Sequence, residues 1–326
     1  MPPAPEIGRQ AETSDWSRNK TGSEAAVQRR FFITGIVRDA EKTLAGSVSA
    51  IDTAFRQFGT TRWFVVESDS SDRTPERLAE LASTMDDFSF VTLGVLQSRF
   101  AERIDRIAFC RNSYLQHFFD NGHDEESDFL VVADLDGMNQ KLDGPALASC
   151  WEHDSWDACF ANQDGPYYDI YALRHPVWSA TDPQVAIGFF RRFGLPPSRS
   201  VNLAVYDKMI RIPRNAEWIE VESAFGGLGI YRPQALREKR YHGRDAAGAV
   251  ICEHVMLHQQ MRQAGCRLFI NPGLVNDSIT EHTRHASLFG AVRHRLRQLV
   301  MDGLFLFFGK KIYRLARNSL AAPNPR

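Results

Sequence analysis

The sequence predicts an α/β protein with a mostly parallel sheet flanked by helices. Short apolar runs alternate with amphipathic stretches from residue 31 onward, and the early runs are apolar at nearly every position. Strands of that kind are typical of parallel sheets, whose two faces are both covered by helices. A chain of 326 residues is also long enough to bury a substantial core without disulfides or structural metals.

The elements follow in order along the chain. In the first half we predict strands at 31–37, 62–66, 88–93 and 128–133, separated by helices at 41–58, 75–84 and 101–119. In the second half we predict strands at 156–160, 168–173 and 267–270, a glycine-interrupted strand at 225–231 and a helix at 249–264. We predict no element in most of the stretch 167–215.

Composition excludes several function classes. The chain has 39 Lys and Arg against 40 Asp and Glu, so its net charge of -1 gives no general attraction for nucleic acid. Its five cysteines are scattered and include no C-x-x-C pair, which predicts neither a disulfide framework nor a thiolate zinc site. We therefore expect a reducing compartment and no nucleic-acid partner.

Three segments differ in character. Residues 1–29 have no apolar core of a secretory signal and are predicted to be a disordered lead-in, and residues 30–285 are predicted to form the folded domain. Residues 286–326 are predicted to form a basic, amphipathic helical tail. From residue 290 this tail has eight Lys and Arg against one Asp, with an apolar run at 304–308. The tail could lie on a bilayer or pack on the protein itself.

Acidic residues follow two of the predicted strands. Glu67, Asp69 and Asp72 come after the second strand, and Asp134 and Asp136 come directly after the fourth. In an open parallel sheet, ligands bind beyond the carboxyl ends of the strands. Two neighbouring carboxylates repel each other unless a cation lies between them, and oxygen ligands suit Mg²⁺ or Mn²⁺, which in turn bridge phosphate oxygens. We therefore predict a metal-assisted phosphate site there.

The order of these motifs resembles the nucleotide-diphospho-sugar glycosyltransferases of the GT-A fold, over about residues 31–285. The resemblance is carried by Glu67 with the S-S-D-R-T turn at 70–74, Arg111-Asn112, Asp134-Leu135-Asp136, the glycine-rich 225–232 and Glu253-His254. It implies a GT-A-like (Rossmann-like) sheet and an enzyme that transfers a sugar from a nucleotide-sugar donor. It also implies that Mn²⁺ or Mg²⁺ is a cofactor.

Within that fold the chain looks most like the α-1,3-mannosyltransferases of fungal capsule synthesis. The similar strings are 67–74, 103–112, 168–174 and Cys252-Glu253-His254. This likeness implies GDP-mannose as donor and retention of configuration at the sugar. The absence of a signal-anchor departs from the Golgi members, so we expect a cytoplasmic enzyme acting at the inner face of a membrane.

The resemblance also assigns donor-side roles. Asp136 would bind the metal directly, Asp134 would reach the metal or the ribose, and His282 would be the third ligand, with His285 as its competitor. Glu67 would face the nucleobase, which sequence cannot identify as guanine or uracil. Asp69 and Asp72 are assigned to the same nucleotide-binding turn. Arginine guanidinium groups match phosphate and carboxylate geometry, so Arg38, Arg106 and Arg111 would contact the diphosphate or hold the aspartates.

On the acceptor side, Glu253 occupies the position of the base that an inverting enzyme needs. Alternatively it binds the donor sugar or acceptor, or orients an arginine, and Glu222 is a second candidate. Gly226 and Gly227 would let the backbone approach an acceptor closely. Tyr168 and Trp178 could stack on a sugar ring.

Other functions remain open at this stage. The acceptor could be a glycan or a lipid-linked hydroxyl, and an inverting UDP-sugar transferase is a direct alternative. A nucleotidyltransferase is less favoured because residues 35–39 lack the glycine-rich basic loop that such enzymes carry after the first strand. A non-catalytic sugar-nucleotide-binding module would not need all of the acids.

Overall fold

The computed structural model describes residues 28–277 and residue 300. One mixed sheet of eight strands runs through the described domain, and helices pack on both of its faces, so the predicted α/β class is confirmed. The strands are β1 (Arg29–Val37), β2 (Gly59–Glu67), β3 (Phe88–Thr92), β4 (Phe129–Ala133), β5 (Ala158–Gln163), β6 (Ile219–Val221), β7 (Leu228–Tyr231) and β8 (Leu268–Asp277).

The described helices lie between these strands. They are α1 (Leu44–Arg56), α2 (Thr74–Thr84), α3 (Arg103–Asp120), α4 (His123–Glu126), α5 (Gly144–Ala148), α6 (Pro183–Arg192), α7 (Pro197–Ala204), α8 (Pro233–Leu236) and α9 (Glu253–Gln263). Two 3-10 turns follow α5 and α7, at Ser149–Trp151 and Tyr206–Lys208.

The sheet order is β3-β2-β1-β4-β7-β5-β8-β6. The pairs β2–β3, β1–β2, β1–β4 and β5–β8 are parallel, whereas β7 runs antiparallel to both of its neighbours and β6 antiparallel to β8. The chain therefore builds a parallel half first and joins the second half to it through β7. Since β1, β2 and β4 are parallel, their carboxyl ends meet at one edge.

The strands are apolar at nearly every position because each face of the sheet has its own core. Along β1, Phe32 packs with α3 on one face, whereas Phe31 and Ile33 pack with α1 on the other. β4 alternates in the same way, with Leu130 on the first face and Val131 on the second. Burial on both faces accounts for the continuous hydrophobic runs in the sequence.

The structure differs from the sequence prediction mainly in the second half. The strand predicted at 168–173 is wrong, because these residues form a turn in which Asp169 accepts a hydrogen bond from the Ala172 N–H at 3.3 Å. Helices α6 and α7 occupy the stretch for which we predicted no element. Strand β8 is longer than predicted and continues through Pro272 and Gly273.

The ends of the chain lie almost entirely outside the described residues. The lead-in at 1–29, apart from its last two residues, and the basic tail at 286–326, apart from residue 300, therefore stay predictions. Within the described part of the chain, no helix combines the length and the apolar character needed to cross a bilayer.

One glycine of β1 is required by close backbone packing. A Cβ at Gly35 would lie 2.5 Å from the Ala133 carbonyl oxygen of β4. We expect Gly35→Ala to lower the free energy of unfolding by about 1–3 kcal/mol, because the backbone must shift. Gly46→Ala, on the exposed face of α1 with no contact closer than 3.8 Å, should instead raise it by about 0.5–1 kcal/mol. Urea denaturation of both variants checks this, and equal effects would contradict the packing described.

Candidate functional site

A cleft of about 400 Å³ lies at the carboxyl ends of β1, β2 and β4. Helix α3, the loop after β5 and the first residues of α9 complete its walls. The sequence-predicted residues that line it are Arg38, Asp69, Arg106, Arg111, Asp134, Asp136, Tyr168 and Glu253. The sheet topology thus brings together side chains that are far apart in the sequence.

The two aspartates after β4 share this cleft. The backbone N–H of Asp134 donates to the Gly227 carbonyl at 2.9 Å, and the Asn139 amide donates to the carbonyls of both residues, at 2.8 Å to Asp134 and 3.1 Å to Gly227. These bonds fix the start of the loop against β7. The Asp134 side chain is 30% exposed, and Asp136 is exposed.

The electrostatics of this pair favour a bound cation. Burial raises the pKa of Asp134 well above its ordinary value, and the neighbouring Asp136 carboxylate raises it further. A divalent ion would offset that repulsion, and carboxylate oxygens are the donors that Mg²⁺ and Mn²⁺ prefer. Among the described residues no group of three or more His, Cys, Asp or Glu forms a metal cluster, and the third predicted ligand, His282, lies outside those residues, as does His285.

A buried ion pair forms the floor of the cleft. Nε of Arg111 donates to Oε1 of Glu253 at 2.9 Å, and these side chains are only 6% and 7% exposed. The same guanidinium has a second nitrogen 3.8 Å from Oδ1 of Asp134. Arg111 therefore links α9 to the aspartate loop from its position on α3.

Aromatic rings enclose the guanidinium of Arg111. Its central carbon lies 5.3 Å from the Phe225 ring centroid and 5.7 Å from that of Tyr241. The Tyr114 hydroxyl accepts from Arg111 at 3.4 Å and donates to the Tyr241 hydroxyl at 2.8 Å. Rings and hydroxyls together hold the guanidinium in one orientation.

His254, next to Glu253, also lines the cleft. Its ring stacks on Phe225 at 3.9 Å, and neither ring nitrogen has a hydrogen-bond partner among residues 28–277. Burial lowers the pKa of His254 well below its ordinary value, and the Arg111 cation lowers it further, so the imidazole is neutral at pH 7. His254 thus contributes no positive charge to Glu253, whose carboxylate lies 3.7 Å from Nε2.

A second pair lies at the end of β2. Asp69 has a left-handed backbone, with φ of 58°, and accepts a hydrogen bond from the Gln97 N–H at 3.0 Å. Its other oxygen lies 3.6 Å from Nε of Arg106, which also donates to the carbonyls of Phe100 and Ala101. Arg106 is therefore held in place before any ligand binds.

Two further arginines lie on the same cleft. Arg38 is exposed after β1, with Nε 3.2 Å from the Asp39 carboxylate. Arg103 is exposed at the start of α3, and within the described chain no ion pair or hydrogen bond occupies its side chain. Sequence reasoning missed Arg103 as a site residue, although it opens the same helix that carries Arg106 and Arg111.

Glu67 and Asp72 do not line the cleft. Glu67 is buried and accepts from the Ser70 N–H at 3.0 Å, whereas Asp72 accepts from the backbone of Glu41 and Thr74 at 3.1 and 3.0 Å. Both carboxylates stabilise the turn after β2. That turn places Ser68 and Asp69 on the cleft.

The two predicted glycines support the cleft wall from behind. Gly226 and Gly227 have φ of 67° and 85°, and a Cβ at Gly226 would lie 2.6 Å from the Ala161 carbonyl oxygen. The Gly226 N–H donates to Asp169 at 3.1 Å, and Asp169 lines the cleft beside Tyr168. Sequence reasoning did not single out Asp169, because it lies where a strand was expected.

Two predicted side chains lie elsewhere. Trp178 packs against Tyr167, with ring centroids 5.4 Å apart, and its indole N–H donates to the Lys208 carbonyl at 2.7 Å. Glu222 is exposed, and its backbone N–H pairs with the Arg174 carbonyl. Neither side chain lines the cleft.

Comparisons with known proteins find likeness in structure but not in sequence. No protein-family model and no curated protein sequence matches the chain. Among solved structures it is similar to the mannosyltransferase PcManGT from Pyrobaculum calidifontis, in complex with GDP-Man and Mn²⁺, with 14% identity and a TM-score of 0.46. The match covers 82% of this chain and 62% of that one.

Two other solved structures are similar at lower scores. TarS 1-349 from S. aureus has 13% identity and a TM-score of 0.39, over 74% of this chain and 57% of that one. Glucosyl-3-phosphoglycerate synthase from Mycobacterium tuberculosis, in complex with UDP, has 9% identity and a TM-score of 0.35, over 77% and 69%. The chain thus spans less than two thirds of the length of the first two proteins.

The burial of the ion pair on the cleft floor predicts that removal of one partner lowers stability. We expect Arg111→Met to lower the free energy of unfolding by about 3–5 kcal/mol, because it leaves the Glu253 carboxylate buried without its cation. Arg103→Met, on the exposed part of the same helix, should change it by less than about 0.5 kcal/mol. Chemical denaturation measures both, and the double variant Arg111→Met/Glu253→Gln should recover part of the loss. Equal costs for the two single variants would contradict the buried pair.

Proposed function

We propose that this protein is a glycosyltransferase that moves a sugar from a nucleotide-diphospho-sugar to an acceptor hydroxyl. One observation carries the proposal: two aspartates, Asp134 and Asp136, share a cleft with several arginines at the carboxyl ends of parallel strands. Ligands of open α/β sheets bind at this edge. A cation held by these aspartates, together with the arginines beside it, would offset the negative charge of a substrate that contains a diphosphate.

The charge on the leaving group explains why both kinds of side chain are needed. Breaking the bond between the sugar and the nucleoside diphosphate leaves negative charge on the terminal phosphate. Mn²⁺ or Mg²⁺ held by Asp134 and Asp136 would offset that charge as it develops. A guanidinium at the same place stabilises the anion by charge-assisted hydrogen bonds.

The arginines divide into fixed and available groups. Arg106 and Arg111 are held by protein partners, so they set the electrostatic potential of the cleft and keep Asp69 and Asp134 in place. Arg38 and Arg103 are exposed, and we assign the diphosphate contact to them. No partner among residues 28–277 occupies the guanidinium of Arg103, so all of its donors can serve this contact.

The role of Glu253 follows from its partner. Since Oε1 accepts from Arg111, we propose that Glu253 is a positioning residue that holds Arg111 next to Asp134. This favours the arginine-orienting alternative over the catalytic base. It agrees with a retaining transfer, in which the leaving phosphate can take the acceptor proton.

The identity of the donor is proposed from the sequence resemblance to the α-1,3-mannosyltransferases. The motifs at 67–74, 103–112 and 252–254 favour GDP-mannose, with an inverting UDP-sugar transferase as the alternative. We propose that Glu67 and Asp72 act on the nucleotide through the shape of the turn after β2, because their carboxylates bind the backbone of that turn and its neighbours.

The acceptor side is proposed to be the wall formed by Tyr168 and Asp169, which the glycines at 226–227 support. Tyr168 lines the cleft, and the Gly226 N–H holds Asp169 in the same wall. A glycan hydroxyl or a lipid-linked hydroxyl would fit the proposal. We also propose that the basic tail contacts a membrane on its cytoplasmic side, a proposal supported by the sequence of 286–326 alone.

Ligand-induced stabilisation tests the donor and the metal together. We expect GDP, and more strongly GDP-mannose, to raise the melting temperature more with Mn²⁺ than without it, because a ligand that binds only the folded state stabilises it. UDP and UDP-glucose are the matched alternatives. Thermal-shift titration of the full chain measures all four ligands.

Asp136→Ala should abolish the metal-dependent part of that shift, whereas Asp86→Ala, an exposed acid before β3, should keep it. A metal-dependent shift that survives Asp136→Ala would refute the metal assignment. No shift with any nucleotide would refute the proposed function.

Glu253→Gln separates positioning from base catalysis. We expect turnover to fall by about 100-fold and the donor KM to rise as well, because Arg111 loses the carboxylate that orients it. Steady-state kinetics with varied donor measures both constants, and Glu125→Gln, an exposed acid on α4, is the control. A fall in kcat with unchanged donor affinity would instead identify Glu253 as the base.

A further inference from the structure

Helix α6 and the residue that follows it present an apolar stripe to the solvent. Val185, Phe189 and Phe193 recur at every fourth position and are 61%, 55% and 71% exposed. Phe189 and Phe193 lie side by side, with ring centroids 4.9 Å apart. Exposed phenylalanines that touch one another form a continuous patch, and such patches on soluble domains mark interaction surfaces.

The stripe is held rigidly. On its other side α6 packs Ala186, Ile187 and Phe190 against the core. Asp182 caps the helix by accepting from the N–H groups of Gln184 and Val185, and it also pairs with Arg174. The exposed stripe is therefore a fixed feature of a docked helix.

Three arginines lie on the helix that carries the stripe or on its neighbour, at the end of α6 and on α7. Arg191 and Arg192 end α6, and Arg199 lies on α7. All three side chains are exposed, and within residues 28–277 none of them forms an ion pair or a hydrogen bond. From residue 183 to residue 206 the sequence contains these three arginines and no Asp or Glu. The partner that covers the stripe must therefore accept apolar side chains and carry negative charge.

We propose that α6 and α7 form a docking surface for a lipid bilayer that contains anionic headgroups. Aromatic side chains insert at the boundary between headgroups and acyl chains, and arginines beside them bind lipid phosphates. The inference goes beyond the proposed function and does not depend on it. It also differs from the proposal for the basic tail, because it concerns a surface within the folded domain.

The charge pattern disfavours two other occupants. The tail from residue 290 has eight Lys and Arg against one Asp, so it would bring like charge to the three arginines. A second copy of the chain in a symmetric dimer would bring two sets of the same three arginines into one interface. An anionic bilayer avoids both repulsions.

Vesicle flotation with the full chain tests the apolar contact. We expect the protein to float with vesicles of phosphatidylcholine mixed with phosphatidylglycerol. Phe189→Ser/Phe193→Ser should weaken binding by on the order of tenfold, because the aromatic burial is lost. Val95→Ser/Val250→Ser, at exposed valines on other loops, is the matched control and should bind like the parent.

Charge variants test the headgroup contact. Arg191→Ala/Arg192→Ala should lower binding to the anionic vesicles by about fivefold or more for each arginine, and phosphatidylcholine vesicles should bind poorly. Arg73→Ala/Arg240→Ala changes the net charge equally at exposed sites elsewhere and should have little effect.

Three results would overturn the proposal. The α6 variants could bind vesicles as well as the parent, which would assign any binding to the tail. They could convert a dimer into a monomer in sedimentation experiments, which would identify a second copy as the occupant. They could lower the melting temperature without lipid by as much as substitution of a fully buried phenylalanine does, which would show that a segment of the chain already covers the stripe. None of these measurements uses a nucleotide-sugar donor, so a result that overturns the bilayer proposal would leave the proposed function unaffected.

Discussion

The contact between Arg111 and Glu253 is the constraint on which the cleft depends. It joins α3, from the parallel half of the sheet, to α9, from the second half, and its donor and acceptor are 142 residues apart in the chain. Because both side chains are nearly inaccessible to solvent, the pair persists only while the two halves stay together. The position of Arg111 next to Asp134 is a consequence of that packing.

The aspartate loop depends in turn on β7. The strand runs antiparallel to β4, and its preceding glycine offers the carbonyl that binds the Asp134 N–H. Left-handed backbone at Gly226 and Gly227 lets the chain turn sharply at this point, against Ala161 of β5. The acids thus rest on a support that comes from the other half of the sheet.

Much of the parallel half could be predicted from the sequence, because its strands and helices show clear local patterns of apolar residues. Strands β1, β2 and β4 are buried on both faces, so their apolar runs stand out, and the helices between them show clear periodicity. The acids after β2 and β4 could be found because parallel strands end at one edge. Asp69, Asp134 and Asp136 do line the cleft, and predicting this needed no knowledge of distant contacts.

The rest depends on tertiary contacts that no local pattern encodes. Asp169 reaches the cleft from a turn, and its backbone partner Gly226 is 57 residues away. That Glu253 orients an arginine was only one of several alternatives, and the sequence did not identify that arginine as Arg111. Helix α6 was missed although the sequence carries the signals of its start, since Asp182 caps it and Pro183 is its first residue.

The antiparallel insertion of β7 has a consequence for biosynthesis. β4 is finished at residue 133, but its second neighbour is not complete until residue 231, so a nascent chain on the ribosome carries an open edge at β4 through the intervening stretch. Pairings of such long sequence separation are slow to form. The acidic loop after β4 therefore cannot gain its contact with Gly227 and β7 until this late segment has been synthesised, well after the first four strands.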